Sequence, residues 1–286
     1  MSLTDNKSKT NRFGKEIEFR VLRFNPEKDE RPYYQNYRLT LERGMTVLDA
    51  LMELKETQDP TLSYRKSCRM GICGSCAMYV NGMPYLACQT QVSELDSELI
   101  VVRPLPNFPI LRDLVPDLRS LFQFHQEIRP YIIRKNMEEV DKPVGEFTQT
   151  PKELEKYLQF AYCIKCGACL AACPTCATDD LFTGPQALAA AYRYVVDSRD
   201  DGYEERVNTQ AIDHKNGIWR CHFAGACSEA CPKGVDPALG IQLLKREILA
   251  RRVAGKKSTP AALLETPAES LPRSDIPQAP APTVKK

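Results

Sequence analysis

An excess of either charge is the first thing missing from this 286-residue sequence: 39 basic residues face 37 acidic ones, for a formal net charge of +2. With no basic stripe, the chain lacks the electrostatic footprint of a nucleic-acid binder. Long apolar runs are missing as well. None approaches the roughly 18 residues of a membrane-spanning helix, so the chain is not expected to cross a bilayer by itself. The start, Met1-Ser2-Leu3-Thr4-Asp5-Asn6-Lys7, has no secretory apolar core, which predicts a reducing compartment. A Gly-x-Gly-x-x-Gly fingerprint, a P-loop and a His-Glu-x-x-His helix are all absent. Histidine is scarce, with only His125, His214 and His222, so acid–base catalysis here has little to work with. Cysteine is what the chain has in abundance, twelve in all. In a reducing compartment that number points to metal ligands rather than disulfides.

The rest of the sequence reads as two domains. Residues 1–15 are polar and are expected to be flexible. Ile17, Phe19 and Val21 alternate with polar residues, the period of a half-buried strand, and Tyr37 to Leu41 repeats that alternation. Thr46 is placed to cap a helix through Leu48, Leu51 and Met52, with Asp49 three residues on. Asn81-Gly82 between two short strand patterns predicts a type I′ hairpin, and Leu99 to Val102 reads as a further strand. Three prolines in Pro104–Pro109 mark the domain boundary. Beyond it the pattern is helical. Leu111, Leu114, Val115, Leu118, Leu121 and Phe122 recur at helical spacing, interrupted by Pro116. Thr150-Pro151-Lys152-Glu153 predicts a capped helix running towards Cys163, and Gly184-Pro185 and Pro237 open two more. From about Lys256 the chain turns rich in proline and alanine, the composition of a disordered tail.

Eleven of the cysteines fall into three groups. Cys68-x4-Cys73-x2-Cys76, with Cys88 returning after the hairpin, has the plant-type ferredoxin spacing for a [2Fe–2S] cluster. Cys163-x2-Cys166-x2-Cys169-x3-Cys173-Pro174 is the bacterial-type run, and Cys221-x5-Cys227-x3-Cys231-Pro232 repeats it at a constant offset of 58 residues. In this repeat Cys166 maps onto Ala224. In two-cluster repeats the cysteine before each proline serves the other half's cluster. Cys163, Cys166, Cys169 and Cys231 then make a full set for [4Fe–4S]. Cys173, Cys221 and Cys227 make a set of three, which suits [3Fe–4S]. Ala224 reads either as a device for a higher potential or as plain drift. Cys176 is left over, and reads as a small buried residue near a cluster. A disulfide framework is disfavoured because three-residue cysteine steps bridge poorly. Zinc is disfavoured because it prefers paired C-x2-C knuckles, whereas C-x2-C-x2-C-x3-C-P crowds its thiols into one loop.

Three clusters without substrate chemistry describe an electron conductor, and the motifs carry a resemblance. Ser67 to Cys76, Arg103-Pro104-Leu105-Pro106, Arg112-Asp113-Leu114-Val115, Gly184-Pro185, Asp197-Ser198-Arg199-Asp200 and Cys221 to Lys233 resemble the iron–sulfur subunit of succinate dehydrogenase and of its sister quinol:fumarate reductase. The likeness spans about residues 16–250. It implies an α+β fold: an N-terminal β-grasp plant-type [2Fe–2S] ferredoxin domain over 16–106, and an all-α bacterial-type two-cluster ferredoxin domain over 107–255. A disordered Pro/Ala-rich tail over 256–286 would follow. It also implies a peripheral place on the cytoplasmic side of the cell membrane, a flavoprotein partner carrying FAD and the dicarboxylate site, and one or more hydrophobic anchor subunits with quinone. Succinate dehydrogenase of the tricarboxylic acid cycle and respiratory chain is the expected setting. Fumarate reductase in reverse, or another flavoprotein redox complex, is the alternative. Pro174, His222 and Lys245 match family positions near quinone, although His222 packing on a cluster and Lys245 as a solvated helix residue are the plainer readings. Thr178 stands where a tryptophan is often found, and the stretch from Cys163 to Asp200 looks more like the fumarate reductases, which commonly use menaquinone.

Overall fold

The structure, a computed structural model, describes residues 13–254 and 263–265. Strand β1 (Glu16–Arg23) buries Ile17, Phe19 and Val21 in alternation with half-buried Glu18 and Arg20. It pairs antiparallel with β2 (Tyr33–Thr40) and parallel with β5 (Leu99–Arg103). With β3 (Ala77–Val80) and β4 (Met83–Leu86) the sheet order is β2-β1-β5-β3-β4. The Asn81-Gly82 turn between β3 and β4 has φ of +46° and +90°, the left-handed pair a type I′ turn requires. Helix Val47–Thr57 starts as its sequence predicts. Asp49 N donates to Thr46 Oγ1 at 3.1 Å, and Thr46 N donates back to Asp49 Oδ2 at 3.0 Å. Its Val47, Leu48, Leu51 and Leu54 share one core with the sheet. Each such fully buried aliphatic side chain stabilises by about 1.5–3 kcal/mol.

Residues 110–122 depart from the expected helix. β6 (Ile110–Arg112) and β7 (Val115–Pro116) form a hairpin, and helix Arg119–Glu127 starts only after it. The cause is long-range. Asp113 sits at φ +45°, and its carboxylate accepts from Arg23 Nε at 3.0 Å, Phe24 N at 2.9 Å and Ser63 N at 2.8 Å. These donors belong to the first domain, whose packing therefore continues past the proline-rich segment. Pro116 has no N–H with which to extend a helix in any case.

The helix from Thr150 is also shorter than its sequence suggests. The capping box forms, but Pro151–Glu155 and Leu158–Ala161 are separate helices. Tyr157 between them takes φ −132°, buries its ring and donates its hydroxyl to Gln149 Oε1 at 2.6 Å.

The second half is built on two packed helices, Pro185–Val195 and Pro237–Ala254. Small residues set their separation: a Cβ on Gly240 would lie 2.8 Å from the Phe160 ring and 3.2 Å from Ala189 Cβ. Shorter helices carry the cysteines, and one added ladder pairs β8 (Gly145–Phe147) with β9 (Leu263–Glu265). β9 falls within the tail expected to be disordered; the rest of that tail beyond residue 255 and the first twelve residues lie outside the described residues. The first core runs from the sheet into Cys169, Leu170, Ala171, Cys227 and Ala238, so the halves pack as one body. Asn107 in the linker reinforces this, donating Nδ2 to Leu170 O at 2.8 Å and to Cys173 O at 3.2 Å. Among the described residues no helix is long and apolar enough to cross a membrane.

Candidate metal centres

The first loop wraps its backbone around sulfur. Met70 N, Ile72 N and Cys73 N donate to Cys68 Sγ at 3.5, 3.4 and 3.3 Å, and Gly71 N donates to Cys88 Sγ at 3.3 Å. So tight a curl needs left-handed backbone. Gly71 lies at φ +72°, and a Cβ there would fall 2.1 Å from the Gln89 side chain. Amides aimed at sulfur stabilise thiolates. A hydrogen bond from Ser75, then the loop amides, bring the Cys73 thiol down to about 6. Burial pushes Cys76 up to about 12.

Seven of the other eight cysteines line two cavities, and these divide along the sets read from the spacing. Cys163, Cys166, Cys169 and Cys231 line one. Cys173, Cys221 and Cys227 line the other, together with Ala224. The 58-residue repeat is visible in the backbone. Lys165 and Phe223 have φ of +56° and +59°; Gly167 and Gly225 have +86° and +78°. Short helices Ala168–Ala171 and Ala226–Glu229 follow at the same offset and pack on one another. The half that carries Ala224 has the same loop geometry that presents Cys166 in the other half.

These residues fit iron–sulfur cores better than single ions. Among the described residues no three Cys, His, Asp or Glu side chains converge as one metal ion requires. Seven thiols instead surround two cavities, as a polynuclear core needs. Burial pushes Cys166 and Cys227 up to about 11 and Cys169 well above its ordinary value. Thiols this reluctant to ionise become thiolate ligands only beside compensating positive charge, which iron supplies.

Cys176 lines neither cavity. Its thiol donates towards Cys173, bringing Cys173 down to about 6, and its own proton is held far more tightly than usual by that bond and by burial. Pro174 and His222 line the three-cysteine cavity, both exposed. Lys245 is not in its lining; Lys245 Nζ donates to Cys221 O at 3.3 Å, one residue from His222. Sequence reasoning missed Gln186, which lines the four-cysteine cavity, and Asn107. The available signal for Gln186 was one amide in the otherwise apolar start of Pro185–Tyr192; Asn107 gave none.

Comparison with known proteins agrees with this geometry. Residues 18–123 match the family model of a 2Fe-2S iron-sulfur cluster binding domain, and residues 159–235 that of a 4Fe-4S dicluster domain. The chain is 46% identical over 235 residues to a fumarate reductase iron-sulfur subunit of Haemophilus influenzae, covering 79% of this chain and 91% of the relative. A counterpart from Escherichia coli O157:H7 is 45% identical, covering 82% and 93%. The succinate dehydrogenase iron-sulfur subunit of Paracoccus denitrificans is 37% identical, covering 82% and 89%. Among solved structures, a chain of the Mycobacterium smegmatis Sdh1 complex in the apo form superposes with a TM-score of 0.68 at 26% identity, covering 83% of this chain and 97% of that one. Two ferredoxin-type domains in this order, with near-full-length relatives at these identities, place the chain in the family of iron–sulfur subunits of succinate dehydrogenases and fumarate reductases.

Proposed function

We propose that this subunit conducts single electrons between the FAD of a flavoprotein partner and a membrane quinone. The ligands would be Cys68, Cys73, Cys76 and Cys88 for [2Fe–2S]; Cys163, Cys166, Cys169 and Cys231 for [4Fe–4S]; and Cys173, Cys221 and Cys227 for [3Fe–4S]. When bound, such centres split a two-electron flavin step into one-electron steps at graded potentials. The serial placement of the three sites carries the reading. Gly74 of the first loop approaches Cys166 so closely that a Cβ would fall 2.9 Å from Cys166 Cβ. The helices of Cys169 and Cys227 then join the second site to the third.

The ends of this path differ in surface. The first loop exposes Met70 and Ile72, at 66% and 57%, which supports docking to the flavoprotein. At the third site Phe223 is 59% exposed and Leu181, next to the lining residue Phe182, is 67% exposed, which supports docking to a hydrophobic anchor at the membrane. Pro174 and His222, with Lys245 behind Cys221, are the proposed quinone contacts.

Succinate oxidation in the tricarboxylic acid cycle and fumarate reduction share this path. Identities of 46% and 45% to subunits named for fumarate reductases, against 37% for one named for succinate dehydrogenase, keep the reductase beside the dehydrogenase as a reading, and Thr178 in place of a tryptophan supports a menaquinone-type acceptor. Purifying the native complex, titrating its EPR signals and assaying succinate and fumarate with both quinone classes tests the proposal. Three signals and a partner with covalent flavin are expected; a complex lacking the flavoprotein would refute it.

Gly74→Ala tests the serial contact. Gly74 lies at φ +74°, so alanine there strains the backbone by about 1–2 kcal/mol and parts the two loops. The expected result is a lower thermal midpoint and several-fold slower succinate-driven reduction of the second centre in freeze-quench EPR. Unchanged kinetics would show that the loops do not need this contact.

A further inference from the structure

We infer that Gln186, held by His125, is a positioning residue that raises the reduction potential of the centre on Cys163, Cys166, Cys169 and Cys231. The inference rests on the ligand set proposed above. Gln186 sits in the first turn of helix Pro185–Val195, is 3% exposed and lines the same cavity as those four cysteines. Its Nε2 lies 3.9 Å from Cys163 Sγ and 3.2 Å from His125 Nδ1. The amide nitrogen carries two hydrogens, and these are two acceptors. Turned over, the amide would set its carbonyl oxygen against a thiolate, so the donor-inward orientation is the one the chemistry selects.

Burial, then the charge of Lys165, pushes His125 down to about 4, so the ring is neutral, and facing the Gln186 amide N–H its Nδ1 accepts in the tautomer that carries the proton on Nε2. Gln186 Oε1 is buried without a partner. The side chain is therefore held only by its donor end, between sulfur and imidazole. An N–H aimed at a ligand sulfur favours the more negative, reduced state of the centre and so raises its potential. The residues lining the three-cysteine cavity include no side-chain amide, which confines the effect to one centre. His125 comes from helix Arg119–Glu127, so this contact also links that helix to the cluster site.

EPR-monitored redox titration of the assembled complex reads each centre separately. Gln186→Met, similar in length and without a donor, is expected to lower the reduction equilibrium constant of the four-cysteine centre about tenfold, or about 59 mV for one electron. The other two centres should stay in place. His125→Phe should shift the same centre in the same direction by less. The double variant should match Gln186→Met alone, because His125 acts through the amide. Gln186→Leu, which also lacks a donor, is a second probe should the methionine variant fail to assemble, and it should lower the potential by a similar amount. An intact signal with unmoved potential in these Gln186 variants, or additive effects in the double variant, overturns the inference. An unaltered signal in Cys163→Ser would instead refute the ligand set on which it rests.

Discussion

Ala224→Cys is expected to abolish the oxidised-state EPR signal of the three-cysteine centre and to lower its reduction potential. The argument lies in the repeat. Residue 224 stands 58 positions after Cys166, in a loop whose flanking left-handed residues, Phe223 and Gly225, reproduce Lys165 and Gly167 to within about ten degrees of φ. Ala224 already lines the cavity with Cys173, Cys221 and Cys227. A thiol on its Cβ would thus enter with the geometry that Cys166 has in the other half. A fourth thiolate completes the donor set for a fourth iron, whose charge offsets that of the added thiolate, so the potential falls through the change of cluster type. The expected fall is on the order of 100 mV, within the wide span that cluster type and charge set. Each 59 mV is tenfold in a one-electron equilibrium, so delivery of electrons to quinone should slow as well. EPR of the air-oxidised complex, followed by a redox titration, reads both changes. An unchanged oxidised-state signal would sink the three-ligand assignment. A converted signal with unchanged quinone turnover would mark the missing cysteine as drift rather than function.

That repeat was legible because ligand spacing and backbone curvature are both local. Asn81-Gly82 and the Thr46–Asp49 box were legible for the same reason: each is decided within four residues. What escaped was decided at a distance. The apolar positions from Leu111 to Phe122 fit a helix, but Arg23, some 90 residues earlier in the chain, captures Asp113 and turns the segment into a hairpin. No window of sequence around Asp113 contains that arginine. Tyr157 breaks a well-capped helix because its ring has a buried seat to fill and Gln149 to meet. The same holds at the metal sites. Cysteine spacing separated the two cavities, whereas Gln186 and His125, which lie 61 residues apart, meet only in the folded chain.

Arg206→Leu should be the most destabilising single change away from the cysteines. Arg206 is fully buried, and nothing in its sequence neighbourhood, Tyr203-Glu204-Glu205-Arg206-Val207, distinguishes it from a solvated helix residue. Its guanidinium makes a two-pronged pair with Asp200, at 2.8 and 3.0 Å, and donates to Ile128 O at 3.0 Å and Tyr131 O at 2.9 Å. Tyr194 packs against its face at 5.1 Å. One side chain thus neutralises a buried carboxylate and caps the chain where helix Arg119–Glu127 ends. Leucine fills part of the volume but leaves Asp200 as an unpaired buried charge and leaves carbonyls without donors. Breaking a buried pair in this way costs about 3–5 kcal/mol. In a domain of this size that corresponds to a fall of about 10 °C in the thermal midpoint. Arg206→Lys keeps the charge but not the planar fork, and should fall between wild type and leucine. The same helix carries His125, so Arg206→Leu should also loosen the Gln186 contact and lower the four-cysteine potential before the fold is lost. Thermal melts of the purified complex, paired with EPR titration below the transition, measure both effects. A midpoint within a degree of wild type would contradict the role assigned to Arg206.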